Sequence, residues 1–187
     1  MNHMLVVRVI KALWAIPIVY WIVLSSGNKE TKIRQSRGSR FAYVAILFST
    51  TYFLASRHRY PLFPINAATQ SMGIILCAAG VALAIWARHI LGTNWSGFVV
   101  IKQDHELIQR GPYQFVRNPI YSGLLLALLG TIIALIPTAN GFLLYGVWVL
   151  AFYVKARQEE QLLSREFGEQ YAQYKQRVRA ALIPALF

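Results

Sequence analysis

Apolar residues in this chain form long runs separated by short polar stretches, the pattern of helices buried on all sides rather than of half-buried strands. Five runs stand out: Leu5 to Ser25, interrupted by Arg8 and Lys11, then Phe41 to Ser56, Met72 to Ala87, Ile120 to Ile136 and Gly141 to Val154. Each is read as a membrane-spanning helix. Most are shorter than the ~20 residues that usually cross a bilayer, and flanking residues or local thinning make up the difference. The first run has the charged start of a signal peptide but no small-residue cleavage site, so it is read as a retained span with Pro17 as its candidate kink.

Past the fifth run the periodicity changes. Leu163, Phe167, Tyr171, Tyr174 and Val178 recur at spacings of three and four, with Glu, Gln, Lys and Arg between them. That predicts an amphipathic helix over Lys155 to Arg179 that leaves the bilayer and lies along it, with a break at Gly168. Gly27 to Arg40, Tyr60 to Gln70 and Gly92 to Asn118 read as polar loops, and Pro137 to Asn140 as a tight turn. The fold class is therefore an all-α integral membrane protein of about five transmembrane helices plus a C-terminal amphipathic helix. Residues 1–91 form an N-terminal region of three spans. Residues 92–187 form the region of candidate chemistry: a polar loop, a helical hairpin over 119–155 and the amphipathic helix.

Composition agrees: 56% of the 187 residues are hydrophobic and 14% are charged. A net charge of +12 would suit nucleic acid, but the basic residues flank apolar runs instead of forming a soluble face. Anionic lipid and the positive-inside bias account for them better, and no nucleic-acid partner is expected. Five spans place fifteen Lys and Arg residues on one side of the membrane and four on the other. The richer side is then cytoplasmic, and it holds the C-terminus and the loop ending at Asn118; in a bacterium the membrane would be the inner one. The single cysteine, Cys77, makes no internal disulfide and excludes a thiolate metal cluster; no metal site is expected.

Only seven residues are acidic, and they cluster. Asp104 and Glu106 open the stretch that runs to Tyr121, and four others lie between Glu159 and Glu169. Both clusters fall on the same predicted side, as two halves of one polar site require. Gly111-Pro112-Tyr113 has turn chemistry. Asn118 suits a helix N-cap and Pro119 the first helical position. Taken alone, those residues read first as a cap and anchor, Tyr113 and Tyr121 as interfacial aromatics, His105 as a solvated histidine, and Arg88-His89 as snorkelling ends of the third span. Glu159-Glu160 follows an apolar run closely, where carboxylates need partners such as Lys155 or Arg157.

Taken jointly, these residues carry a resemblance. His105, Leu107, Gly111, Tyr113, Arg117, Pro119, Tyr121 and Gly123, followed by Glu159-Glu160, Phe167-Gly168, Tyr171 and Tyr174, stand at the spacing of the isoprenylcysteine carboxyl methyltransferases, which also look like phospholipid methyltransferases. The match covers about half of the chain. It departs at Asn118, where the family most often has histidine, and at Lys155, where the eukaryotic members have a substrate-linked arginine; Arg157 stands nearby.

The resemblance implies S-adenosyl-L-methionine held between the fourth and fifth spans on the cytoplasmic side. His105, Glu106, Leu107, Ile108, Tyr113, Arg117, Asn118, Pro119, Ile120, Tyr121 and Glu159 would surround it. Lys155, Arg157 and Glu160 would serve the reaction, the two cations by orienting an acceptor carboxylate. The acceptor it implies is lipid-tailed, foremost the carboxylate of an isoprenylcysteine-like compound, entering from membrane lipid. Two other readings stand beside it. One is methylation of a phospholipid or other small-lipid amine, which would call on Glu160 as proton acceptor. The other is a non-catalytic basic membrane scaffold.

Overall fold

The computed structural model describes residues 2–25, 31–34, 49–52, 60–92, 100–102 and 107–182. Within them, four long helices account for most of the backbone. Helix α1 is His3–Ser25, with Pro17 inside it, and α2 is Ala67–Leu91. Helix α3 is Pro119–Leu135 and α4 is Ala139–Arg177. Two short strands, β1 (Thr31–Arg34) and β2 (Val100–Lys102), pair antiparallel with Ile33 opposite Ile101. The expected loops thus contain a two-stranded ribbon that joins the chain beyond α1 to the chain beyond α2. Apolar patterning gave no hint of it.

Helices α1, α2 and α4 are long and apolar enough to cross a membrane, and α3 is a shorter apolar helix of 17 residues. At 1.5 Å per residue, α3 covers about 25 Å, a little under the thickness of a bilayer core. Ile16, Ile18, Val19, Ile22 and Val23 of α1 and Leu143 and Leu150 of α4 are exposed. In a protein so apolar, such continuous outer faces are lipid-facing. The chain is an integral membrane protein built from helices. The expected second span, Phe41 to Ser56, lies outside the described residues apart from 49–52, which are helical and meet α4 where the Trp148 indole donates to Thr51 at 3.1 Å.

Two boundaries differ from expectation. Helix α2 begins at Ala67 rather than Met72 because Asn66 and Thr69 form a reciprocal capping box, each side chain accepting from the other's backbone N–H at 3.0 Å. The fifth span and the amphipathic segment are one helix, broken only at Gly168 (φ +49°). That break lies where the sequence placed it. Thr138 caps the start of α4 by accepting from Gly141 N–H at 3.2 Å, which makes the turn after α3 tight.

The tightest packing joins α2 to α3, across the division drawn at residue 91. Gly73, Cys77, Gly80 and Ala84 face Gly123, Ala127, Gly130 and Ala134 in an antiparallel seam. A Cβ at Gly123 would sit 2.6 Å from the Gly80 carbonyl oxygen, and one at Gly73 would sit 2.5 Å from that of Gly130. Small residues let the backbones touch, which substitutes dispersion contact for the hydrophobic drive that lipid does not supply. Helix α1 runs alongside α2, burying Val6 and Ile10 against Cys77 and Val81. The Trp14 indole donates to Thr131 on α3 at 2.9 Å.

Arg88 does not snorkel. It is 1% exposed, and its guanidinium donates to the Gly92 carbonyl at 2.7 Å and to that of Leu24 at 3.4 Å. The negative C-terminal ends of α1 and α2 therefore share one buried cation, which is the favourable placement for a charge at a helix C-terminus. This aligns the two ends beneath the polar region described next.

Candidate active site at the start of α3

The polar residues between Gln109 and Ser122 gather at the end of the bundle where α3 begins. Gly111 takes φ +61°, a conformation that favours glycine, and Pro112 starts a 3-10 turn, Gly111–Gln114, as the sequence led one to expect. The turn drives Tyr113 inward. Its ring is 7% exposed, its hydroxyl donates to the Ala87 carbonyl at 3.4 Å, and its own carbonyl accepts from the Tyr174 hydroxyl at 2.8 Å. Tyr113 therefore links the end of α2 to the last stretch of α4. Burial, with smaller contributions from Glu159 and Tyr174, pushes its hydroxyl pKa far up, so it stays a neutral donor. Burial likewise pushes Tyr174 up to about 12.

Beyond the break at Gly168, the expected apolar face forms. Tyr171, Tyr174 and Val178 make a buried cluster with Leu107, Leu163 and Phe167 packed on it. Leu107 thus belongs to this cluster, and Ile108 beside it is half-buried. His105 and Glu106 lie outside the described residues.

Arg117 is half-buried at the centre of the region. Its Nε donates to Glu160 Oε1 at 2.7 Å, and its Nη1 donates to the carbonyls of Val178 and Arg179 at 2.7 and 2.6 Å. Glu160 is 3% exposed, and its other oxygen, Oε2, has no hydrogen-bond partner among the described residues. The backbone N–H groups of Arg117 and Asn118 donate to Ala180 and Ala181 at 3.0 and 3.1 Å. Asn118 stands at the N-cap position of α3, but its side chain makes no capping bond; its amide donates to the Ala181 carbonyl at 3.0 Å. Ser122 donates to Leu182. Pro119 fills the first position of α3, where its missing N–H costs nothing.

One turn further along, α3 and α4 meet through Tyr121. Its ring stacks on Phe152 at 4.9 Å and 11°, in a cluster with Leu125, Ala156 and Leu182, while Ile120 packs alongside. The Tyr121 hydroxyl donates to Glu159 Oε1 at 2.5 Å, and the Lys155 ammonium lies 5.3 Å from the centre of the same ring. Lys155 and Glu159 are one helical turn apart on α4, past the end of the apolar span at Val154. Burial pushes the Glu159 carboxyl up, against the pull of Lys155 and of the Tyr121 hydrogen bond. Burial pushes Lys155 down, against the pull of Glu159. Arg157 is exposed.

The structure therefore brings Tyr113, Arg117, Asn118, Pro119, Ile120, Tyr121, Lys155, Glu159 and Glu160 to one end of the bundle. It also splits them by what they touch. Tyr121, Lys155 and Glu159 form a half-buried acid–base–aromatic group, whereas Arg117 bonds Glu160 and, with Asn118, the carbonyls of residues 178–182. Sequence reasoning missed Ser122 and the acceptor carbonyls of 178–182. Ser122 follows Asn118 at i+4, so its place beside the cap was legible; backbone carbonyls leave no trace in a sequence.

Comparison with known proteins agrees with this assembly. A model of the phospholipid methyltransferase family matches residues 68–170, from the first turn of α2 to just past Gly168. Protein-S-isoprenylcysteine O-methyltransferase B of Arabidopsis thaliana is 28% identical over 143 residues, covering 75% of this chain and 72% of that one. The corresponding protein of Schizosaccharomyces pombe is 29% identical over 168 residues, covering 87% of this chain and 66% of that one. Among solved structures, a eukaryotic intramembrane Ras methyltransferase, isoprenylcysteine carboxyl methyltransferase, superposes with a TM-score of 0.59 at 26% identity over 82% of this chain, which spans 55% of that protein. With more than half of its length matched, and with that match running through both helices that build the site, the chain belongs to the phospholipid methyltransferase family, in the company of its isoprenylcysteine carboxyl methyltransferases.

Proposed function

We propose that this chain transfers a methyl group from S-adenosylmethionine to the carboxylate of an isoprenylcysteine-like, lipid-tailed acceptor on the cytoplasmic side of a membrane. The observation that carries the proposal is the group formed by Tyr121, Glu159 and Lys155, where one aromatic ring ties a carboxylate and an ammonium to the α3–α4 junction. The names of the relatives support the acceptor class. The excess of Lys and Arg on this side supports the orientation.

The residues fit the donor. Glu159 is a desolvated carboxylate with one neutral hydroxyl donor on Oε1, a natural seat for an ammonium group. Tyr121 adds an electron-rich ring face nearby. Tyr113 has its ring buried, so it supports the wall of the site through Ala87 and Tyr174 rather than offering an open stacking face. When bound, S-adenosylmethionine supplies a methyl carbon already activated by a positive sulfur.

A carboxylate acceptor is ionised at neutral pH and needs no general base. The protein's task is then alignment and exclusion of water. Lys155, half-buried just past the apolar span, would orient the carboxylate of an acceptor entering from lipid without removing its charge. Because methylation of a carboxylate releases no proton, the residues here would only have to hold and align the two partners, Glu159 the donor's ammonium and Lys155 the acceptor's carboxylate. Methylation of an amine needs a proton acceptor instead. Glu160, the residue available for it by sequence, is buried against Arg117, which speaks for the carboxylate.

The direct test is calorimetric titration of S-adenosylhomocysteine into the purified protein in detergent, followed by turnover of a farnesylated cysteine analogue. Binding by the intact chain and an alkali-labile methyl product are expected. Lys155→Ala should raise the acceptor KM about tenfold, as loss of a charge-assisted contact does, and change donor affinity less, through its effect on Glu159. A folded protein that binds no donor sinks the proposal, and an alkali-stable methyl product moves it to the amine reading.

A further inference from the structure

Five consecutive carbonyls, from Val178 to Leu182, all accept hydrogen bonds, and every donor lies in the short stretch from Arg117 to Ser122. The segment is neither helix nor strand, so these bonds stand in for secondary structure. Two of the donors are the N–H groups of Arg117 and Asn118, just ahead of α3. The three others are side chains: the Arg117 guanidinium, the Asn118 amide and the Ser122 hydroxyl. Arg117 alone reaches both Glu160 and the first two carbonyls.

The segment ends inside the candidate site. Leu182 is 5% exposed and packs in the same cluster as Tyr121, Phe152 and Ala156. Tyr121 in turn donates to Glu159. A continuous path of contacts therefore joins Glu160 and Arg117, through the strap of residues 178–182, to the ring that holds Glu159.

Resting on the donor site proposed above, we infer that Arg117 and Glu160 are a positioning pair, which seats the Val178–Leu182 strap over the start of α3 as one wall of that site. Neither residue touches the reacting groups. The planar guanidinium is the part that matters. It meets Glu160 through Nε and the strap through Nη1, a fork that a lysine ammonium does not reproduce. Glu160 keeps the fork in register, and its burial is tolerated because Arg117 is its counter-ion. Asn118 fits the same purpose: its amide is a donor facing a carbonyl, which an aspartate could not be at neutral pH.

The experiment compares the intact protein with Arg117→Lys, Glu160→Gln and Asn118→Asp. Hydrogen exchange is read at the Arg117 and Asn118 amides, together with S-adenosylhomocysteine affinity, acceptor KM and kcat at saturating donor. In Arg117→Lys, which preserves charge, both amides should exchange faster and the donor Kd should rise about tenfold or more, while acceptor KM and saturated kcat stay near those of the intact protein. Asn118→Asp should behave alike, and Glu160→Gln, which keeps an acceptor for Nε, should fall between. Normal donor affinity with rapidly exchanging amides would overturn the strap as a wall of the site. Unchanged exchange and weakened affinity in Arg117→Lys would overturn the positioning role and return Arg117 to the ligand. Should a variant fail to fold, Ser122→Ala, which removes a single side-chain donor to the strap, puts the same two readouts to work. Failure of the intact protein to bind S-adenosylhomocysteine would instead count against the donor site itself.

Discussion

The seam between α2 and α3 and the polar end above it are built on opposite principles. In the seam, Gly73, Gly80, Gly123 and Gly130 bring two backbones into contact with hardly a polar side chain. At the polar end, Arg117, Glu160, Tyr121 and Glu159 are held by directional bonds to partners dozens of residues away. The seam has no slack, because the neighbours of each glycine there are main chain or the Cβ of an alanine. The polar end depends instead on side-chain bonds and on titratable groups, so a ligand or a change of pH acts on it directly. A rigid platform thus carries an adjustable site, and each should fail differently.

The seam should break hardest. Gly123→Leu forces side-chain atoms into the Gly80 carbonyl and Ala84, and a loss of about 3 kcal/mol or more is expected. Thermal melting in detergent and the yield of monodisperse protein measure it. A variant that melts like the parent would mean that the two helices are free to separate.

Glu159→Gln should leave melting near the parent value and weaken S-adenosylhomocysteine binding about ten- to a hundredfold, the effect of losing a charge-assisted contact. The parent also predicts a pH signature. The Glu159 pKa is raised by burial, so its contribution to stability is fully present below the unfolded pKa and is lost as pH rises through the folded one. Donor binding needs the ionised form and runs the other way, strengthening as pH rises through the same window, which lies above the ordinary carboxylate value of about 4.3. Parallel rather than opposed pH trends would remove Glu159 from the donor site.

Tyr121→Phe is gentler. It keeps the stack on Phe152 and the ring face toward Lys155 while deleting the hydroxyl on Glu159. Donor affinity should fall about three- to tenfold, the range for one hydrogen bond. Because that bond lowers the Glu159 pKa, its loss should move the midpoint of the affinity profile to higher pH. A midpoint that stays put would mean that the hydroxyl does not bias Glu159.

The smallest effects belong to the caps. Thr138→Ala and Asn66→Ala should each cost about 1 kcal/mol in melting experiments and leave donor affinity unchanged. A cap variant that weakened binding would show that helix ends far from the start of α3 communicate with the site.

Much of this was legible in the chain. The apolar runs, the amphipathic face from Leu163 to Val178 and the break at Gly168 all follow from periodicity and from glycine's conformational freedom, which are local properties. The grouping of Glu159 and Glu160 with the Arg117–Tyr121 stretch could be anticipated from scarce carboxylates falling on one predicted side. Which contacts they make could not. Arg88 looked like a snorkelling cation and is instead buried between two helix ends. Arg117 and Asn118 were expected around a ligand, and nothing in the sequence showed that both also donate to the strap. The early start of α2 was readable in Asn66 and Thr69 and went unread.

The sequence by itself determined where the helices lie, which faces are apolar and which family's motif the second half of the chain carries, because each depends on residues a few positions apart. Only the tertiary structure decided that α2 and α3 touch through glycine, that Tyr121 serves Glu159 and Lys155 at once, and that residues 178–182 close over the start of α3. Those pairings join positions far apart in the chain. Their donors and acceptors are largely backbone groups common to every residue, so the choice among them is made by packing.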